Sequence, residues 1–490
     1  MKRFKCKLCG YEIEKENLDD GYVCPICGVS KSNFEEVIEV DNRVPIDDDN
    51  PSIMRIMEKC INCGICKNVC TEKVGIKYEK CQLSNKECIN CGRCRIACPM
   101  VAIVPKYNYQ NVMEAINDPE KIVVVSTSPA VRVALGEEFM MEAGSFVEGK
   151  MIASLKKLGF DYVLDTTFGA DLTIMEEGTE LVNRIKNNGI LPIFTSCCPS
   201  WVKYLEINYP ELLPHLSSSK SPIGMQGAIV KTYFAQKRNI EPKNIIHVAL
   251  TPCVAKKYEI NRPEMNSSSK YNNIKELRDT DYVITTAELG LMLRENNIDF
   301  NTLEDMNYDS LLEKGSGAGV IFGNTGGVAE AAIRTVYNII TNKNPDKNLL
   351  EFTNVRGLES VKEAIVNIEG IEIKVAVIYG ITNVKPFLDK LKIEKLEYHL
   401  IEVMSCNGGC IGGGGQPLTP ISRESNILTK RMEGLYNSDE KGAVRCSYQN
   451  EDIKRVYNEF LGSPNSKLSK SLLHTEYTSK ENYKKTVINS

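Results

Sequence analysis

The residues of this chain best suited to chemistry are its thiols. Nineteen cysteines occur in 490 residues, most of them in short, regular groups. The stretch IEVMSCNGGCIGGGGQP, residues 401–417, sets Cys406 and Cys410 four apart with Gly408 and Gly409 between them, and Gly412 to Gly415 follow. Each glycine inside a helix costs about 1 kcal/mol against alanine, which argues against a helix here. Glycine also lets a backbone come close to a bulky object. Paired thiolates beside such a backbone point to a large inorganic cluster. A flexible loop with two buried cysteines is the plainer alternative. Cytosolic thiols stay reduced, so regular spacings argue for metal rather than disulfides.

Two further patterns strengthen the metal reading. Cys6-Lys-Leu-Cys9-Gly10 and Cys24-Pro-Ile-Cys27-Gly28 are two tight hooks, each presenting two sulfurs. Two hooks complete a four-sulfur tetrahedron, which holds iron or zinc. Tyr11, Tyr22 and Phe34 are candidates for a small aromatic core around it. Downstream, Cys60, Cys63, Cys66 and Cys70 form one C-x2-C-x2-C-x3-C run, and Cys88, Cys91, Cys94 and Cys98 form a second. In a bacterial two-cluster ferredoxin the fourth cysteine of each run ligates the other cluster. Cys60, Cys63, Cys66 and Cys98 then hold one 4Fe–4S cluster, and Cys88, Cys91, Cys94 and Cys70 the second. Cys81 and Cys446 have no partner in this scheme. His474 stands in a polar tail, where a lone histidine is ordinarily solvated.

The elements that must position these groups follow from composition and periodicity. A chain of this length implies several domains. Lys+Arg 60 against Asp+Glu 64 gives −4, with no basic stripe for a nucleic acid. No window holds the roughly 18 apolar residues of a membrane span. The start, MKRFKCKLCG, has no apolar core after its basic residues, so a cytoplasmic location is expected. Residues 41–52, polar and acidic, read as a linker. Beyond residue 119, apolar runs alternate with amphipathic stretches. The strand candidates are IVVVSTS, DYVLDTT, ILPIFTS, IIHVALT, DYVITT, VIFGNTGG, KVAVIYG and HLIEVMS. Helices are expected at 145–158, 170–188 and 329–341. Such alternation predicts parallel α/β sheets in two lobes, with the site in the cleft beyond the strand ends. Cys197, Cys253 and Cys406 each follow an apolar strand, so all three should reach that cleft.

The motifs TSCCPSW (195–201), TPCVAKKYE (251–259) and EVMSCNGGCIGGGGQP (402–417) together resemble the signature of the iron–iron (FeFe) hydrogenases. The likeness extends to STSPAVR (126–132), DLTIMEEGTELVNRI (171–185), LSSSKSP (216–222) and the tail EFLGSPNSKLSKSLLHTEY. It covers nearly all of residues 54–490, and the first 40 residues resemble a rubredoxin-like segment. The resemblance implies an H-cluster: a 4Fe–4S cube joined through a cysteine to a two-iron unit carrying CO and cyanide. Cys198, Cys253, Cys406 and Cys410 would hold the cube, with Cys410 bridging to the two-iron unit. Cys197 would be the proton donor, continued by Glu177, Ser217, Glu180 and Arg184. Lys256 would hydrogen-bond a cyanide, and Met404 is kept near the two-iron unit. Read from the residues alone, Cys197 is a buried thiol, Glu180 and Arg184 a surface i,i+4 pair, and Lys256 a snorkelling lysine. Thr251, Ile223, Ser405 and Asn407 depart from the usual Met, Gln, Ala and Pro.

The domain plan implied is rubredoxin-like at 1–40, linker at 41–52, ferredoxin-like with two clusters at 53–118, catalytic at 119–430, and a small-subunit-like region at 431–490. The function implied is reversible interconversion of H2 with protons and electrons in an anaerobic cytoplasm. It requires a soluble electron carrier such as a ferredoxin and maturation machinery for the two-iron unit, and involves neither nucleic acid nor membrane. A low-turnover H2 sensor and an iron–sulfur scaffold protein are the alternatives. An iron in the N-terminal site, with a potential above those of ferredoxin clusters, would favour electron export during H2 oxidation.

Overall fold

The computed structural model of the chain describes residues 2–36, 41–76, 87–312, 314–394 and 396–480. Cys81 lies outside them. Contacts divide the chain into two units, Met1–Arg43 with Ile61–Gly64, and Val44–Cys60 with Ile65–Ser490. In the first, β1 (Lys2–Cys6) pairs antiparallel with β2 (Glu12–Lys15) on one side and β3 (Phe34–Glu36) on the other. The hooks close on themselves: the Gly10 amide donates to Cys6 O and the Gly28 amide to Cys24 O, both at 2.9 Å. Tyr22 meets Phe34 edge-on at 5.4 Å, part of the expected aromatic core.

The second unit begins inside the stretch expected to be a linker. Val44 and Asn50 are buried, and the Val44 amide donates to Cys66 Sγ at 3.3 Å. From Val44 onward, residues 41–52 are therefore part of a packed body, where Asn50 Oδ1 accepts the Ser52 amide at 2.9 Å. A short antiparallel pair, β4 (Ile53–Arg55) and β5 (Ile103–Pro105), brackets the two cysteine runs.

Eight strands follow: β6 (Ile122–Thr127), β7 (Tyr162–Asp165), β8 (Ile193–Phe194), β9 (Ile245–Thr251), β10 (Tyr282–Thr285), β11 (Val361–Ile368), β12 (Ile371–Tyr379) and β13 (Leu400–Met404). One sheet runs β10-β9-β6-β7, all parallel. Its strands are buried along nearly their whole length, as continuous β-branched runs demand of a sheet covered on both faces. The other runs β11-β12-β13-β8, parallel except that β11 joins β12 antiparallel.

Two elements differ from expectation. VIFGNTGG is not a strand: a short helix Gly317–Ile321 and a turn lead into the helix Gly327–Thr341. The glycines let two helices meet there; a Cβ on Gly327 would lie 1.8 Å from Ile321 O. β11 was not expected at all. Its residues VKEAIVNI alternate exposed and buried, the signature of an edge strand with one wet face. The expected helices occur as Glu148–Leu158, Thr166–Lys186 and Gly327–Thr341. Thr166–Lys186 starts where Asp165 accepts from the Thr167 amide, and most of its first half is buried all round. It runs from the end of β7 through the core shared by both sheets.

Candidate active site and metal centres

Cys197 and Cys198 follow β8, Cys253 follows β9, and Cys406 follows β13, so the two sheets deliver their cysteines to one place. Cys198 stands at the start of the helix Pro199–Asn208. Cys253, Cys406 and Cys410 sit close enough for their charges, with that of Cys198, to raise one another; burial is the larger cause, and it pushes Cys253 up to about 11. Four buried sulfurs cannot ionise together unless a cation joins them. Beside them lies a cavity of about 60 Å³, where one water needs roughly 10–15 Å³. Cys197, Thr251, Lys256, Ile223, Met404 and Cys410 line it.

Lys256 is no snorkelling surface lysine. It is buried, and its Nζ donates to Cys197 O at 3.0 Å and to Glu259 at 2.9 Å. Burial works against its charge, but Glu259 and Cys253 outweigh that and hold it protonated. Thr251 turns its hydroxyl away from the cavity's free space: Oγ1 donates to Cys253 O at 3.1 Å and accepts the Cys253 amide at 3.3 Å. It shapes the ligand turn. Ser405 Oγ and N both lie 3.5 Å from Cys198 Sγ.

Glu177, Glu180 and Arg184 lie on the helix Thr166–Lys186. Burial, then the charge of Glu180, pushes the Glu177 carboxyl up to about 8, and its charge in turn bears on Cys197. Ser217 donates to Glu180 Oε2 at 3.2 Å, and its hydroxyl also works against the rise of the Glu177 carboxyl. Arg184 Nη2 pairs with Glu180 Oε1 at 2.6 Å, with the two side chains only 16% and 13% exposed. The pair is therefore not an ordinary surface one.

The glycine-rich loop adds to an expectation. Its glycines make room for other parts of the chain as well. A Cβ on Gly414 would meet Cys91 O at 2.6 Å, and one on Gly409, at φ +93°, would meet Thr325 N at 2.6 Å. Buried Arg95, within the second cysteine run, donates to Gly414 O at 2.9 Å and Gln416 O at 2.7 Å. Arg93 pairs with Glu424, which also accepts from Asn407 at 3.4 Å. Two arginines inside CGRCRI were the available signal for this docking. Cys91 comes near enough for its charge to raise Cys406.

Of the paired runs, Cys70 is brought to Cys91 and Cys94, where its charge acts on both after burial, and Cys88 acts there too. Amide donors reach Cys88 from Asn90 at 3.4 Å and Cys98 from Ala102 at 3.3 Å. Cys60, Cys66 and Cys98 belong to the same unit, and Cys63 to the first. There, the thiol sulfurs of Cys6, Cys9, Cys24 and Cys27 all lie within 4.8 Å of one another. Cys6–Cys27 and Cys9–Cys24 are 3.6 and 3.4 Å apart, near the edge of about 3.8 Å for a tetrahedron with 2.3 Å bonds. Cys446 is buried beside Tyr448 with no thiol neighbour among the described residues. His474 is not solvated: its side chain is 7% exposed and bonded on both ring nitrogens.

Residues 121–414 match the family of the iron-only hydrogenase large subunit, C-terminal domain. Residues 425–480 match the iron hydrogenase small subunit, and 4–35 the rubredoxin-like domain of rubrerythrin. The chain is 42% identical to iron hydrogenase 1 of Clostridium pasteurianum over 97% of its own length and 84% of that protein. The chain belongs to the iron-only hydrogenase family. The structure of an apo FeFe-hydrogenase variant from Chlamydomonas reinhardtii superposes with a TM-score of 0.67 at 37% identity, over 76% of this chain and 99% of that one. The cytosolic iron-sulfur assembly component 3 of Bos taurus is 32% identical over 74% of this chain and 75% of its own. As an iron-only hydrogenase the chain is an oxidoreductase built for iron–sulfur cofactors. Its donor set fits them: buried all-sulfur ligands suit iron, and the cavity abuts Cys410. No helix among the described residues is long and apolar enough to cross a membrane.

Proposed function

We propose that the chain interconverts H2 with two protons and two electrons at a centre held by Cys198, Cys253, Cys406 and Cys410. When bound there, the H-cluster would supply the redox and H2-activating chemistry, with Cys410 among the residues that would hold it. The protein's part is to move protons. Cys197 holds a proton at Sγ on the cavity wall, with Lys256 fixing the turn through Cys197 O. Glu177 receives it; a carboxyl raised to about 8 is protonated at neutral pH and can both take and give. It donates to Ser217, Ser217 to Glu180, and Glu180 meets Arg184 near the surface. The Ser217–Glu180–Arg184 hydrogen bonds, with Glu177 acted on by Ser217 and Cys197 on the cavity wall, carry the enzymatic reading.

Electrons would pass through a cluster on Cys88, Cys91, Cys94 and Cys70, next to Cys406, and a second on Cys60, Cys63, Cys66 and Cys98. A soluble carrier in an anaerobic cytoplasm would exchange them, and dedicated machinery would install the two-iron unit. The rubredoxin-like segment at 1–40 holds one iron on Cys6, Cys9, Cys24 and Cys27 and favours H2 oxidation. The ferredoxin-like region runs from 53 to 118, the catalytic domain to 430, and the small-subunit-like region to 490.

Cys197→Ala should keep the cluster and lose at least 100-fold in turnover, within the usual range for a general acid–base group; activity within twofold of the parent would remove Cys197 from the path. Cys410→Ala should fail to retain the two-iron unit. Similarity to the Bos taurus assembly component favours a scaffold as the second reading. Infrared bands of CO and cyanide in the matured protein decide for the enzyme or a slow H2 sensor, which turnover then separates; their absence decides for the scaffold.

A further inference from the structure

The C-terminal segment reaches into the proton line. Residues 473–475 pair with 218–220: the Lys220 amide donates to Leu473 O and the Thr475 amide to Ser218 O, both at 2.8 Å. This pairing sets the His474 ring between the Glu176 carboxylate and the Ser218 hydroxyl. Nε2 lies 2.9 Å from Glu176 Oε2, and Nδ1 lies 2.8 Å from Ser218 Oγ. Ser218 Oγ is in turn 3.2 Å from Glu180 Oε2, which also receives the Ser218 amide at 3.2 Å.

The partners fix the hydrogens. Buried Glu176 accepts from Tyr457 OH at 2.6 Å, Asn465 N at 2.7 Å and Ser469 Oγ at 3.0 Å. Glu176 serves all of these groups as an acceptor, and the His474 Nε2–H points at it as a further donor. Nδ1 of a neutral ring is then an acceptor, and takes the single hydroxyl hydrogen of Ser218. A protonated ring donates from Nδ1 instead, and the Ser218 hydrogen swings to Glu180. Glu176 is enclosed by its other donors, so the branch ends there and His474 is no second outlet.

We infer that His474 is a positioning residue for the proton line: by taking up a proton it turns the Ser218 hydroxyl toward Glu180 and loosens that carboxyl's hold on its own proton. The charged groups around it are Glu176 and Glu180 with its partner Arg184; Lys220, on the paired backbone, is turned to Asp279 at 2.8 Å. The inference rests on Glu180 lying in the path.

The test is the pH profile of H2 oxidation by the matured full chain. His474→Gln keeps a donor for Glu176 and an acceptor for Ser218, and so mimics the neutral ring. Its acid limb should move up by about one pH unit, a tenfold change in proton affinity, while the alkaline limb superimposes on the parent's. Ser218→Ala removes the hydroxyl and should give the same shift. The double variant should shift no further, since both act through one hydrogen bond. A parental profile in either single variant, or shifts that add, overturns the inference. If His474→Gln does not accumulate, Ser218→Ala is decisive alone. Glu180→Gln is run alongside: full turnover there overturns the path itself and the inference with it. An inactive Glu180→Gln beside a parental His474→Gln profile overturns the inference only.

Discussion

In the proposed proton line, Glu177 is the residue on which movement would turn. Burial, then the neighbouring charge of Glu180, raises it to about 8, so it is neutral where most carboxyls are ionised. Glu177→Gln preserves the shape but cannot exchange a proton, and turnover should fall by at least 100-fold. The variant also has a stability signature. A carboxyl raised in the folded state contributes stability that is full below its ordinary range and lost as pH rises through about 8. Glu177→Gln escapes that loss, so it should gain on the parent between about pH 6 and pH 9; thermal melts of the two proteins at both values measure it. Glu177, Glu180 and Arg184 could be placed on one face from their spacing alone. His474 could not, because its carboxylate partner stands 298 residues away and only backbone pairing brings the two together. Thr251 was visible as a departure, but its hydroxyl bonds to the Cys253 turn are a matter of local backbone direction that residue type does not report.

Among elements, the loop at 401–417 shows how a motif can be read correctly and still incompletely. Its glycines were legible as a demand for close approach, and part of what approaches is the chain at Cys91 and Gly92. Sequence reports that a Cβ is unwelcome, not what would strike it. Gly414→Ala should push the loop off the second cysteine run. Overpacking of this kind costs about 1–3 kcal/mol, and electron delivery should suffer more than stability. Reduction of the matured protein by a ferredoxin should slow severalfold, while hydrogen–deuterium exchange, which needs no external electrons, should hold near the parental rate. The parallel strands were legible because burial on both faces leaves continuous apolar runs. β11 was missed because alternation in VKEAIVNI announces an edge strand, which a search for such runs passes over. VIFGNTGG failed for the opposite reason: an apolar run ending in glycines fits a buried strand and a helix junction equally well.

At the scale of the molecule, two cysteine hooks and two repeated runs made the modular plan readable, while tertiary packing decided where the modules end. Val44–Ser52 looked like tether and is body. The N-terminal unit remains the natural candidate for electron export. Its hooks carry Leu8 and Ile26 at 68% and 69% exposed, beside the exposed Cys9, so a soluble acceptor could press against the metal's edge. Removing residues 1–40 should slow H2-driven reduction of a protein acceptor severalfold and leave dye-linked H2 evolution nearly unchanged. Zinc in the purified site, or equal survival of both rates, would end that role. On the proposed function, electrons would have clusters that can be refilled at once, but protons would share one file. Ser217 has a single hydrogen to pass on. After each transfer its hydroxyl faces the wrong way and must rotate before it can serve again. Every H2 releases two protons, so that rotation recurs twice in each cycle, like a turnstile that must swing back. With acceptor in excess, the slowest clock in this enzyme would then be an alcohol turning over, seen as a slowing in heavy water that no added carrier relieves.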